Sequence, residues 1–212
     1  MPDNDLLHRF VIENTRVRGE MVHLQASWQA VLQRHDYPQT VRHILGEAFA
    51  ACALLSATIK YDGSLILQIR GDGPLHLLVV QATSQGTLRG LARWHGEVPA
   101  HNLQAIFGQG QMAMTIESAD GEPYQGIIGL QGENIQGAIE AYFNQSEQLH
   151  TRLWLAADDT RCSGFLIQEM PASEPPLSEL DQAQNDWEHA EHLASTLSKN
   201  ELLSLSTIDI LH

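Results

Sequence analysis

Apolar and polar positions change period several times along this chain, and each change marks an element. Residues 6–13 (LLHRFVIE) and 16–25 (RVRGEMVHLQ) are short mixed runs split by Asn14-Thr15, which predicts two strands. SWQAVLQRH (27–35) predicts a short helix with Ser27 as N-cap. HDYPQT then breaks the pattern, and Pro38 suits the first turn of a following helix. In that helix Val41, Leu45, Ala48, Cys52, Leu55 and Ile59 recur at spacings of three and four, with Ile44, Phe49 and Ala51 beside them. It is alanine-rich, about twenty residues long, and stops at the turn Asp62-Gly63.

Strand patterning follows. SLILQIR, LHLLVVQA and TLRGLARWHG are separated by GDGP (71–74) and TSQG (83–86), turn residues at short intervals that predict an antiparallel meander. VPAHNLQAIFGQG is a loop with one helical turn, and MAMTIES with PYQGIIGLQG forms a hairpin around Ala119-Asp120-Gly121-Glu122. NIQGAIEAYFNQSEQL predicts a helix capped by Asn134, with Ile135, Ala138, Ile139 and Tyr142 on one face. TRLWLAA and GFLIQEM make a last hairpin around DDTRCS, giving an α+β domain that ends near Met170 (residues 1–170).

PASEPP (171–176) is a hinge by composition. Beyond it Leu177, Leu180, Trp187, Leu193 and Leu197 keep helical spacing among acids, and Ser198-Lys-Asn-Glu201 fits a capping box that opens another short helix. LSTIDILH stops in mid-pattern, so residues 171–212 are expected to be an incomplete amphipathic segment.

Charge sharpens this division. The chain has 212 residues, 43% apolar and 18% charged, with a net charge of −14. Residues 171–212 carry eight acids and one lysine (−7), and residues 1–170 carry eighteen acids and eleven bases (also −7), so half the excess sits in the last fifth. Such a surface repels phosphate backbones and argues against nucleic acid as a partner. There is no apolar run of membrane-spanning length, and the acidic start MPDNDLLHRF is unlike a signal peptide, which implies a cytoplasmic protein without a membrane partner.

Candidate chemistry is sparse. Ser146, Glu147, His150 and Arg152 lie close together, and a hydrolase using Ser146 and His150 is one alternative. Yet no strained strand-to-helix turn presents Ser146, which favours a plain helix-to-strand junction. In EHAEH (188–192), His189 and His192 offer a second alternative, a metal-dependent enzyme, but the zincin spacings are missed and too few ligands are in reach. A solvated acidic helix face explains the stretch better. Arg70-Gly71-Asp72 is a turn, and the glycines of 108–111 and 126–132 match no nucleotide-binding loop. Cys52 falls on the apolar stripe of the long helix; Cys162 is expected in a loop, where Arg161 would lower its pKa somewhat. Neither cysteine has metal-site spacing.

The residue patterns carry further. VRGE (17–20), HDYP (35–38), ATIKYDG (57–63), QIRGDGPL (68–75), RGLAR (89–93), GEPYQGIIGLQGENI (121–135), EAYFNQSEQLHTRL (140–153) and LSKNELLSL occur in this order along essentially the whole chain. In these the sequence resembles the thirty-three-kilodalton heat-shock chaperonin family, the redox-regulated bacterial holdases. His150 departs from the family pattern, in which proline usually stands there. The resemblance implies a non-enzymatic, ATP-independent chaperone core that binds unfolding or oxidatively damaged clients and forms homodimers, with domain swapping made plausible by the hinge. It implies a metastable linker whose apolar residues contribute to client binding: Leu177, Leu180, Trp187, Leu193, Leu197, Leu202 and Leu203. It also implies that zinc and the redox disulfides belong to a C-terminal module with C-x-C and C-x-x-C pairs, which Cys52 and Cys162 do not match, so no cofactor, catalytic residue or metal ligand is expected among these residues. A structural dimerisation domain is a third, minor reading.

Overall fold

A computed structural model describes residues 5–100, 102–118, 121–130, 132–170 and 177–211, with backbone alone for Glu147 and 177–182. The α+β class is as expected. Strands β1 (Asp5–Val11), β2 (Val17–Leu24), β8 (Thr151–Ala157) and β9 (Cys162–Glu169) form an antiparallel four-stranded sheet in the order β1-β2-β9-β8. Strands β3 (Gly63–Arg70), β4 (Leu75–Thr83), β5 (Leu88–Trp94), β6 (Gln111–Ser118) and β7 (Tyr124–Gly129) form an antiparallel five-stranded sheet in the order β5-β4-β3-β6-β7. The predicted meander is β3-β4-β5, and both predicted hairpins pair as expected.

Helix α2 (Gln39–Thr58) lies between the two sheets and packs on strands of both. That position explains its composition. A helix with one buried face needs only a stripe of apolar residues, whereas this one is closed off on almost every side. Buried residues include Val41, Leu45, Phe49, Cys52, Leu54 and Leu55, with Ala48, Ala50 and Ala51 filling the close contacts. Gly46 allows the tightest approach: a Cβ there would lie 2.4 Å from Cβ of Ala157 on β8. Pro38 is the N-cap residue, in extended conformation.

Two local expectations are corrected. Helix α1 spans Ala26–Leu32, with Gln25 and not Ser27 at the N-cap position. The cap comes from the start of β1: the Asp5 carboxylate accepts from the backbone N–H of Gln25 (2.8 Å) and Ser27 (3.0 Å) and from the Ser27 hydroxyl (2.5 Å). An ionised acceptor at the positive helix end displaces the weaker hydroxyl cap. The helix predicted from Asn134 is α4 (Ile135–Tyr142), capped by Asn134 as expected (Gly137 N–H to Oδ1, 2.8 Å), but it ends in a π-helical turn, Phe143–Glu147, closed by Gln148 in the left-handed conformation. Short helix α3 (Leu103–Phe107) is the predicted single turn.

The tail adds a further layer. Helices α5 (Leu177–Ser195), α6 (Lys199–Ser204) and α7 (Thr207–Leu211) follow the strands, and the capping box at Ser198 is present in both directions. Their apolar residues pack on the face of the four-stranded sheet that points away from α2. Both faces of β2 and β9 are therefore buried, and β9 shows it in seven consecutive buried residues. A strand covered on two sides loses the alternation that a half-exposed strand keeps.

Candidate functional site

The outer face of the four-stranded sheet and the tail docked on it form the candidate site. Registers place Phe10, Gly19, Ile167 and Arg152 in one row across the four strands, and His8, Met21, Phe165 and Trp154 in the next. Gly19 shapes this surface: a Cβ there would meet Cζ of Phe10 at 2.2 Å, so the bare glycine lets the Phe10 ring lie across β2. Phe10 then stacks on Phe165 (centroids 5.5 Å, 17° between planes), and Trp154 packs on the same ring. This aromatic platform receives Trp187, Ala190 and Leu202 of the tail, which are buried, with Leu197 and Leu203 half-buried at its margin.

The residues expected to meet clients thus divide. Trp187 and Leu202 are sealed against the sheet, whereas Leu193 is 57% exposed. The side chains of Leu177 and Leu180 lie outside the described residues. An open groove of about 550 Å³ runs between the tail and β1, lined by Phe10, Ile12, Phe165, Ile167, Leu193 and Leu197 among others. Each large apolar side chain withdrawn from water here contributes on the order of 1.5–3 kcal/mol. The docked stripe is short, so the tail is held by a few such contacts plus polar ties.

Those ties are specific. Arg152 on β8 donates through Nε and Nη2 to Oε1 of Glu191 on α5 (2.6 Å each) and through Nη1 to Oε2 of Glu140 on α4 (3.1 Å). Glu140, nearly buried, also accepts from the Leu153 N–H at 2.9 Å. Burial opposes the charge on Arg152, and the hydrogen bonds and charges of Glu191 and Glu140 outweigh it, so its pKa is raised. Further along, Lys199 pairs with Glu47 of α2 (2.7 Å), Arg161 donates to the Leu203 carbonyl (3.1 Å), and Thr207 Oγ1 meets His8 Nδ1 (3.2 Å).

His150 belongs to this interface. Its Nδ1 lies 3.2 Å from Oε2 of Glu169 and its ring is 5.6 Å from that of Trp187. It lines a depression with Arg152, Trp187 and Glu191, and Ser146 is not part of that wall. Ser146 is exposed on the π-helical turn, and the Glu147 side chain lies outside the described residues. The serine and histidine of the proposed hydrolase are therefore not turned into one pocket. His189 and His192 are both exposed on α5, and among the described residues no three His, Cys, Asp or Glu side chains gather where a metal could be held. The expectation for Cys162 is corrected: it is the first residue of β9, fully buried, and burial followed by the carboxylates of Asp5 and Asp158 pushes its thiol well above the ordinary value. Cys52 is the core residue expected from its stripe, with its thiol pushed up by burial to about 12. Among the described residues no helix is long and apolar enough to cross a membrane.

Comparison with known proteins decides the family. The model of the Hsp33 protein family matches residues 5–212. A 33 kDa chaperonin of Nitrosococcus oceani is 49% identical over 212 residues, all of this chain and 71% of the relative. One from Shewanella frigidimarina is 42% identical, over 99% of this chain and 71% of the relative. The chain belongs to the Hsp33 family. The crystal structure of the 33 kDa chaperonin from Thermotoga maritima superposes with a TM-score of 0.83 at 21% identity, covering 98% of this chain and 73% of that one, so the Hsp33 fold is shared at low identity. Membership in a chaperonin-named family makes this chain a chaperone by kinship. The platform residues Phe10, Met21, Trp154, Phe165 and Ile167 escaped sequence reasoning, although the unbroken run GFLI within β9 signals burial on both faces.

Proposed function

We propose that the chain is an ATP-independent holdase core, residues 1–170, whose client surface is the outer face of the four-stranded sheet together with the apolar stripe of the tail, residues 171–212. Docked, the two surfaces satisfy each other; parted, both offer apolar area to unfolding chains. The single observation that carries this is the placement of Trp187 and Leu202 on the Phe10–Phe165 platform. An acidic tail also favours solubility of a chaperone–client complex. Cytoplasmic residence and redox regulation of tail release follow from the family resemblance. The residues described here do not fit zinc: each cysteine is sealed in the core with its thiol held protonated, while a structural zinc takes up thiolates.

Light scattering of a thermally unfolding client enzyme tests the proposal. Trp187→Ala, which frees the tail, is expected to suppress aggregation at a several-fold lower molar ratio than the parent chain. Equal scattering with and without either protein, at stoichiometric excess and under reducing and oxidising conditions alike, would remove the holdase reading.

A further inference from the structure

The five-stranded sheet has a face that none of the described residues covers. Its inner side chains, such as Leu65, Leu67, Val80 and Met114, are buried against α2 and its neighbours. The alternate positions point the other way. Registers align Leu91, Val79, Gln68, Ala113 and Ile127 in one row across all five strands. In the row beside it, Leu77 stands between Arg93 and Arg70; in the row on the other side, Arg89 and Gln81 adjoin Ile66. Leu91 is 38% exposed and Ile127 56%. Arg70, Arg89 and Arg93 are exposed. Arg89 donates to Gln81, whereas Arg70 and Arg93 have neither ion pair nor side-chain hydrogen bond among the described residues. Glu117 lies at the far end of the face opposite Ser64, and Asp72 lies in the turn after β3, where it accepts from the Gln109 N–H.

Three of the chain's twelve basic side chains thus share one face of a molecule whose net charge is −14. Unpaired guanidinium groups beside aliphatic rows complement carboxylates interspersed with aliphatic side chains. These rows contain no aromatic residue on which a base could stack, and that argues against a single-stranded nucleic acid. We propose that the outer face of the five-stranded sheet is a second docking surface, open while the tail is docked, that takes polypeptide segments carrying aliphatic side chains and carboxylates. The inference rests on the holdase reading only in calling such a segment a client. It gives the molecule an encounter surface that needs no rearrangement, beside one that does.

Fluorescence anisotropy with two labelled peptides of equal length tests it, one built from Leu, Glu and Ser and the other with Lys in place of Glu. Long-range charge alone favours the lysine peptide on a molecule this acidic. The proposal requires the opposite: the glutamate peptide binds roughly tenfold tighter at low salt, with the preference shrinking as salt screens it. Arg70→Glu with Arg93→Glu abolishes the preference, and Leu91→Gln with Ile127→Gln weakens both peptides. All four side chains are exposed, so unchanged circular dichroism and unfolding midpoint confirm the fold. Preference for the lysine peptide, or a glutamate preference that survives Arg70→Glu with Arg93→Glu, overturns the proposal. So does stronger competition by a single-stranded oligonucleotide than by unlabelled glutamate peptide, which would assign the face to nucleic acid. Aggregation assays on the same proteins separate the two readings. Suppression without glutamate preference retires this face alone, whereas glutamate binding without suppression retires the holdase and leaves the face.

Discussion

Helices α2 and α5 are nearly equal in length, 20 and 19 residues, and they do opposite work. Arg42, His43 and Glu47 are the charged or titratable residues of α2 apart from Cys52, and it is enclosed by two sheets. The α5 sequence carries Glu179, Asp181, Asp186, Glu188 and Glu191, and it touches one sheet along one stripe. Removing α2 would unmake both sheets' inner faces at once. Removing α5 would expose one face of a sheet that α2 still holds from behind. The difference teaches that this fold separates a keystone from a cover, and that the proposed client surface lies under the helix that is held along a single stripe.

The contrast breaks first under the largest perturbation. Phe49→Ala, at a fully buried α2 position against Trp28, is expected to destabilise the whole domain by about 3–5 kcal/mol, because the cavity cannot collapse between two sheets. Trp187→Ala removes as large a side chain from α5. Its effect is expected to stay local, with faster hydrogen exchange along α5 and an unfolding midpoint of the core that barely moves. If thermal denaturation drops equally in both variants, the tail is part of the keystone and the distinction is lost.

Sequence patterning made α2, the meander and the capping box legible because each depends on neighbours within a few residues. Asp5 was not legible as the cap of α1, since it approaches from 20 residues upstream of Gln25. Nor was the burial of Cys162: GFLIQEM looked like a strand beginning at Gly164, two residues later, which left the thiol in the DDTRCS turn. The platform was half-legible: the two-sided apolar character of β9 was there to be read, while the pairing of Phe10 with Phe165 requires the β1-β2-β9 order. Arg152, Glu140 and Glu191 are 12 and 39 residues apart, and periodicity has nothing to say about them.

That triad offers the next, smaller test. Arg152→Met keeps the aliphatic stem and removes the guanidinium bridge between α4, β8 and α5. The arginine is 42% exposed, so solvent screens the pair and the expected loss in tail docking is on the order of 1 kcal/mol, about a fivefold rise in α5 exchange. A cycle with Glu191→Gln checks the assignment: the double variant should lose little more than Arg152→Met alone. Fully additive losses would mean that the two side chains do not act on each other.

Acidification should produce the smallest effect, confined to the other end of the tail. His23 lies on the tail-facing side of β2, beside Leu6 and Ser163, with Nδ1 2.9 Å from the Ser163 hydroxyl and Nε2 buried without a partner among the described residues. Burial, then the charges of Arg161 and His8, hold its pKa below the ordinary 6.5. Those neighbours are the same groups that tie Leu203 and Thr207 to the sheet. A folded-state pKa below the unfolded 6.5 means that the contribution of neutral His23 is full above 6.5 and is lost as pH falls from there through the lowered value; docking weakens with it to the extent that the docked tail supplies the burial. Exchange in α6 and α7, corrected for its intrinsic pH dependence, should therefore rise roughly a few-fold on acidification from about pH 7 to 5.5, while α5 changes less. His23→Gln retains a hydrogen-bonding group but cannot take a charge, and it should flatten the profile. An unchanged profile in His23→Gln would remove His23 as the source of the pH response.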